Sequence, residues 1–286
     1  METTDILPGV KNIIAVSSGK GGVGKSTVAA NVAISLAQKG YSVGLVDADI
    51  YGPSVPLLFN ETESTPEVFQ DGEKTIIQPI EKYGVKIISI GFFVEQDQAL
   101  IWRGPKAAGA LGQLFTDVNW GNLDFMVIDM PPGTGDIQLS LVQTLPITGA
   151  VIVSTPQKVA LADAKKGVAM YKSNAIKVPI LGLIENMAYF TPSELPNNKY
   201  YLFGKEGCRN LANDMTIPFL GEIPLIQSIC EGSDLGVPVT IQENSIAKSA
   251  FETITENLIK QVDIRNTVLG PTKRVQIDQN HKGCSH

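Results

Sequence analysis

Thiols, imidazoles and surplus positive charge are all scarce in this 286-residue chain. Its three cysteines, Cys208, Cys230 and Cys284, are too few and too scattered for a disulfide framework. A reduced compartment, the cytoplasm, is therefore expected. Lysine and arginine number 23 against 29 acidic residues, a net charge of −6, and no basic stretch stands ready to neutralise a nucleic-acid backbone. Nonspecific nucleic-acid binding is disfavoured. No apolar run approaches the ~20 residues that cross a bilayer. The N-terminal Met1-Glu2-Thr3-Thr4-Asp5 is acidic rather than signal-like, so no membrane partner is expected.

What the chain does have is a glycine-rich loop in a telling place. Ile13-Ile14-Ala15-Val16 reads as a strand and Val28 to Gln38 as a helix. Between them stands Ser18-Gly19-Lys20-Gly21-Gly22-Val23-Gly24-Lys25-Ser26-Thr27, a full G-x-x-x-x-G-K-S. Gly19, Gly21, Gly22 and Gly24 let backbone N–H groups turn inward around phosphate oxygens, with Val23 and Thr27 completing the loop. The helix N-terminus adds unpaired donors and partial positive charge. Lys25 is placed to reach the β- and γ-phosphates, and the Ser26 hydroxyl to sit on Mg²⁺. The chain is expected to bind a nucleoside triphosphate, ATP, with Mg²⁺.

Further strands end in functional candidates. Tyr41 to Val46 is a buried strand that runs into Asp47-Ala48-Asp49. Carboxylates at that end of a strand lie where open α/β sheets bind ligands, so they orient either the Mg²⁺ shell or the attacking water, or one of them caps a turn. Phe125-Met126-Val127-Ile128-Asp129 has the Walker B form, and Asp129 can hold Mg²⁺ through a water. After it, Met130-Pro131-Pro132-Gly133 stiffens the exit and offers the Gly133 N–H to a γ-phosphate, while Asp136 reads as a helix N-cap. Asn186, closing the Ile180–Ile184 strand, suits either an adenine edge or a turn. Ile50 to Pro56 is too proline-rich for a helix and reads as a switch segment; Asn60 to Lys74 reads as a solvated excursion. Arg103, beside Trp102, is a candidate for substrate or partner contact, or else a packed surface pair. Helix signals follow from Trp102-Arg103-Gly104-Pro105 to Phe115, Leu161 to Ser173 and Ser245 to Lys260, with a last strand at Phe219–Pro224. Unbroken apolar strands alternating with helices predict a doubly wound, mostly parallel α/β sheet covered on both faces. One domain is expected over residues 1–263, then a flexible tail over 264–286.

The second lysine of the loop, Lys20, has no role in a generic P-loop. Gly-Lys-Gly-Gly-Val-Gly-Lys-Ser resembles the deviant Walker A of the MinD/ParA/nitrogenase-iron-protein class. That resemblance implies an ATP-dependent homodimer in which Lys20 contacts the nucleotide of the other subunit, Asp49 activates water and Asp47 lies near the metal. Asp47-Ala48-Asp49-Ile50-Tyr51-Gly52-Pro53-Ser54, Trp102-Arg103-Gly104-Pro105, Asp129 to Asp136 and Glu185-Asn186-Met187-Ala188-Tyr189-Phe190 further resemble the Mrp/ApbC family of iron–sulfur cluster carriers. The resemblance spans roughly residues 10 to 262 and implies slow ATP hydrolysis coupled to cluster delivery to apoproteins or an assembly scaffold. The small domain that often precedes the first strand in that family is not expected here.

One departure is pronounced. Family members place a Cys-x-x-Cys soon after the Glu-Asn-Met segment, to bridge a [4Fe–4S] cluster across a dimer. Here Thr191 to Tyr200 holds no cysteine, and hydroxyls or amides are poor substitutes for thiolates. Cys208 and Cys230 are either small core residues or relocated cluster ligands. The tail His281-Lys282-Gly283-Cys284-Ser285-His286 is either disordered or a local metal site. Two alternatives remain open: a MinD/ParA-like recruitment switch without a cluster, and a P-loop small-molecule kinase.

Overall fold

Strands whose residues are buried at nearly every position have no solvent face and belong inside a sheet covered on both sides. That is the case for β1 (Val10–Ser18) from Ile13 onward, and for all of β2 (Val43–Asp47), reached through helix α1 (Lys25–Gln38). The computed structural model describes residues 6–72, 74–93, 104–192, 194–195, 198–242, 246–270 and 272. After β2 come α2 (Val55–Leu58), β3 (Val68–Asp71), β4 (Lys74–Ile77), β5 (Ile80–Lys82) and β6 (Val85–Ser89). Then follow α3 (Gly104–Thr116), β7 (Leu123–Asp129), α4 (Asp136–Thr144), β8 (Gly149–Ser154), α5 (Lys158–Lys172) and β9 (Ile180–Glu185). The chain closes with α6 (Gly207–Met215), β10 (Phe219–Glu222), α7 (Gln227–Asp234) and α8 (Ile246–Leu269).

Eight strands form one sheet in the order β10-β9-β8-β1-β7-β2-β6-β5. Every pairing is parallel except that of the edge strand β5 with β6. The doubly wound α/β expectation holds. β1 lies between β7 and β8, so the chain leaves it toward opposite halves of the sheet, and the crevice at the strands' carboxyl ends opens there. Register then sets the chemistry: Asp47 is level with Asp129 on one side and with Ser89 on the other.

Helix α1 is buried almost all round, which its alanines permit: Ala29, Ala30 and Ala33 let it sit close to the sheet, while Val28, Val32, Ile34 and Leu36 fill the remaining space. Its one buried amide is satisfied, Asn31 Nδ2 donating to the Thr27 carbonyl and Asn31 Oδ1 accepting from Thr240. Helix α8 packs over α1, β9 and β10 through Ala247, Phe251, Ile254, Leu258 and Val262.

The structure departs from the sequence reading in places with clear causes. The Asn60–Lys74 stretch carries a hairpin, β3 paired antiparallel with β4, turning at Gly72 with φ +63°. Its alternation is obscured by charge, and both Val68 and Phe69 stay exposed. Within the proline-rich segment, α2 starts at Val55; Pro56 is tolerated because it falls in the first turn, where no intrahelical donor is needed. Asp136 is the first residue of α4, and Gly135 is the N-cap. The last helix continues past Lys260 to Leu269, since no breaker intervenes before Gly270, whose carbonyl takes a hydrogen bond from Arg265 at 2.6 Å. Helix α7 is not foreshadowed at all, its sequence Gln227 to Asp234 being short and polar overall, with Ile229 and Cys230 its apolar side chains.

Phe251, fully buried beneath α8, is expected to be a main anchor of that helix. Phe251→Ala should lower the unfolding free energy by about 3–5 kcal/mol, whereas Val268→Ala on the exposed end should change it by less than about 0.5 kcal/mol. Urea denaturation of both variants checks this.

Candidate functional site

The glycines of the loop divide into two kinds. A β-carbon on Gly21 or Gly22 would meet nothing within 4 Å, so these two face an open cavity of about 210 Å³ that also touches Lys25, Ser26, Thr27, Asp49 and Pro132. Gly19 and Gly24 instead allow close packing. A β-carbon on Gly19 would lie 2.1 Å from the Asp163 carbonyl carbon on α5, and one on Gly24 would lie 2.2 Å from Asn186 Nδ2. Gly24 also has φ +79°, the left-handed turn from which α1 starts. No side chain caps α1, so the donors of its first turn are left for an anion.

Facing the loop is a row of acids set by strand register. Lys25, only 6% exposed, places Nζ 2.6 Å from Asp129 Oδ1, 3.7 Å from Asp49 Oδ2 and 3.2 Å from the Ser26 hydroxyl. Asp129 and Asp47 are completely buried. Burial, reinforced by the charge of Asp129, pushes Asp47 up to about 7. Burial also raises Asp49 and Asp129, with Lys25 pulling both the other way.

Asp129 Oδ2 is buried and has no hydrogen-bond partner. An orphaned anionic oxygen beside the Ser26 hydroxyl is a hard-oxygen donor set, so the residues fit Mg²⁺. Asp47, expected near the metal, is committed elsewhere. Its Oδ1 accepts from the Asp49 N–H at 3.1 Å, and its Oδ2 accepts from the Val55 N–H and the Ser89 hydroxyl, both at 3.0 Å. It braces the segment after β2.

Two other expected ligand contacts are likewise occupied. The Gly133 N–H donates to the Ser18 carbonyl at 3.0 Å instead of standing free. Asn186 Nδ2 donates to the Val23 carbonyl at 2.9 Å, bracing the loop from behind. Lys20 makes no hydrogen bond or ion pair among the described residues; only its carbonyl is engaged, by the Ser18 hydroxyl. Cys208 and Cys230 are not brought into one site. Cys208 is 0% exposed at the start of α6, where burial raises its thiol above the ordinary range and its N–H donates to Glu185 at 2.5 Å. Cys230 is exposed on α7, its thiol 3.9 Å from Asp234 Oδ2. Arg103 and the His281–His286 tail lie outside the described residues, among which no cluster of histidine, cysteine and carboxylate capable of holding a metal occurs. No described helix is long and apolar enough to cross a membrane.

Sequence reasoning gave Ser89 no role, although it ends an apolar strand run, the signal that flagged Asp47 and Asp129.

The raised acids give a pH signature. The folded state binds protons that the unfolded chain releases between the ordinary carboxylate range near pH 4 and about pH 7 at Asp47. Unfolding free energy of the nucleotide-free protein should therefore contain a component that falls as pH rises through that window. Denaturation at fixed ionic strength across the window checks it, and the component should shrink in Asp47→Asn.

A protein-family profile described as "ParA: NUBPL iron-transfer P-loop NTPase" matches residues 9–259. The chain is 48% identical over 287 residues to the "Iron-sulfur protein required for NADH dehydrogenase, mitochondrial" of Arabidopsis thaliana, covering 99% of this chain and 89% of that one. It is 51% identical over 269 residues to the "Iron-sulfur cluster carrier protein" of Aquifex aeolicus, covering 92% and 71% respectively. Among solved structures, a nucleotide-binding protein of Archaeoglobus fulgidus in complex with ADP superposes with a TM-score of 0.72 at 38% identity, over 84% of this chain and 93% of that one. The cell division ATPase MinD of Pyrococcus furiosus gives 0.62 at 22% identity, over 87% and 99%, a likeness of fold alone. With the family match running from β1 into α8 and the loop, Lys25 and Asp129 assembled as such an enzyme needs them, this chain belongs to the NUBPL-type iron-transfer P-loop NTPases.

Proposed function

We propose that the protein is an ATP-hydrolysing homodimeric carrier that delivers iron–sulfur clusters to apoproteins or receives them from an assembly scaffold. The observation that carries this reading is the convergence of Lys25 and Asp49 on one cavity under the glycine loop, with Asp129 paired to Lys25 behind it, in a chain of an iron-transfer family.

On ATP binding, Lys25 leaves Asp129 for the phosphates, and the N–H groups around Gly21 and Gly22 take the phosphate oxygens. Ser26 and Asp129 would hold Mg²⁺, which when bound neutralises charge on the phosphates. Asp49 orients the attacking water. The water oxygen bonds to the γ-phosphorus, the bond from that phosphorus to the β–γ bridging oxygen breaks, ADP leaves with the electron pair, and the water proton passes to the Asp49 carboxylate. Asp49, raised by its burial, is suited to accept that proton. The Gly133 N–H senses the γ-phosphate only by leaving the Ser18 carbonyl, which makes the exit of β7 a two-position element. The uncommitted Lys20 ammonium reaches across the dimer to the other nucleotide.

The cargo needs thiolates, and Cys208 is sealed in the core. Cys230, exposed on α7, is the accessible thiol among the described residues, and client or scaffold cysteines complete the cluster's ligands.

Asp49→Asn is expected to slow phosphate release about 10²-fold or more while ATP affinity stays within about twofold. Lys20→Ala should remain a monomer with ATP in analytical ultracentrifugation while still binding it. Anaerobic reconstitution with iron and sulfide should give iron uptake that survives Cys208→Ser and falls in Cys230→Ser. Uptake unchanged in Cys230→Ser but lost in Cys284→Ser would move the ligand to the tail.

A further inference from the structure

Behind Asp49 a second set of groups forms a connected chain. Ser89, the last residue of β6, is 0% exposed and stands level with Asp47 in the β2–β6 register. Its hydroxyl donates to Asp47 Oδ2 at 3.0 Å and accepts from the Gly91 N–H at 3.0 Å. Asp47 in turn takes the Asp49 and Val55 N–H groups, one on each carboxylate oxygen. Gly91 lies against the prolines of the same segment: a β-carbon built on it would sit 3.1 Å from Pro53 Cβ and 3.2 Å from Pro56 Cγ. One buried hydroxyl thus ties the end of β6, and the 3₁₀ turn Ile90–Phe93 after it, to both ends of segment 49–55.

The arrangement is needed because Asp47 has a competing attraction. Lys25 acts on the same carboxylate, while Asp129 repels it. Without the Ser89 donor the carboxyl keeps the Asp49 and Val55 amides but loses its side-chain anchor against that pull, and the two amide bonds loosen. A hydrogen bond to a buried carboxyl has no water to replace it, and its loss is felt by every other donor sharing that acceptor.

We propose that Ser89 is a positioning residue of the hydrolytic site: its hydroxyl holds the Asp47 carboxylate on the Asp49 and Val55 amides, and so fixes where Asp49 stands when water attacks. The inference rests on the hydrolytic reading of the cavity given above, yet part of its test does not require turnover.

In the nucleotide-free protein, Ser89→Ala is expected to speed amide exchange at Asp49 and Val55 about tenfold, with the Asn186 amide unchanged. Ser89→Thr, which keeps the hydroxyl, should restore slow exchange, and Ser89→Cys, close in size but a weak donor, should fall between. With ATP, Ser89→Ala should lower kcat about tenfold and leave KM and ADP affinity within about twofold. Unchanged exchange at Asp49 and Val55 in both the Ala and Cys variants would overturn the proposal. So would equal losses in Ala and Thr, which would mark a packing effect. A wild-type protein that binds ATP without hydrolysing it would overturn the hydrolytic reading instead, with the exchange data still deciding the role of Ser89.

Discussion

One buried ammonium among three carboxylates governs the state of this site. Lys25 sits 2.6 Å from Asp129 and 3.7 Å from Asp49, with Asp47 the next acid in the row. A charge at such depth is tolerable only when paired, and here the single cation is outnumbered. Two of those acids, Asp47 and Asp129, are sealed from solvent, and Asp49 lines the cavity beside the uncapped first turn of α1. Internal contacts close much of this arrangement, while Asp129 Oδ2 stays unpaired and the first turn of α1 has no side-chain cap.

The same logic runs through the backbone. Gly133 is tied to Ser18, Asn186 to Val23 and Asp47 to Val55, so each segment around the cavity has an internal partner. Of these, the Asn186 contact stands behind the loop, against Gly24, and leaves the phosphate face clear. The Gly133 contact ties the exit of β7 to Ser18, which lines the cavity.

Much of this was legible in the residues. A glycine loop between an apolar strand and an alanine-rich helix, and acids closing two more apolar runs, located the cavity because strand ends in a parallel sheet share one edge. Lys25, Ser26, Asp49 and Asp129 are found together for that reason. The internal hydrogen-bond partners of Asp47, Gly133 and Asn186 were not legible, because they depend on which neighbour satisfies each polar group, and those neighbours are 2 to 163 residues away. Strand β3 and its turn were hidden by exposed, charged positions that carry no burial signal, and α7 by being short and polar overall. Cys208 was ambiguous on sequence because a small buried thiol and a ligand look alike until burial is known.

Both borders of the main sheet are guarded. At one, β10 is only four residues long, and α8 lies over it with Asn257 Nδ2 donating to the Leu220 carbonyl at 2.9 Å. At the other, β5 has three residues, two of them charged, and turns straight back antiparallel onto β6. Strand-by-strand addition of a neighbouring molecule therefore has no long, bare template on which to start. The β3–β4 ribbon, with Val68 and Phe69 in solvent, is the less protected edge. Any pairing of this protein with a neighbour through strands would start at that ribbon, away from the guarded borders of the main sheet.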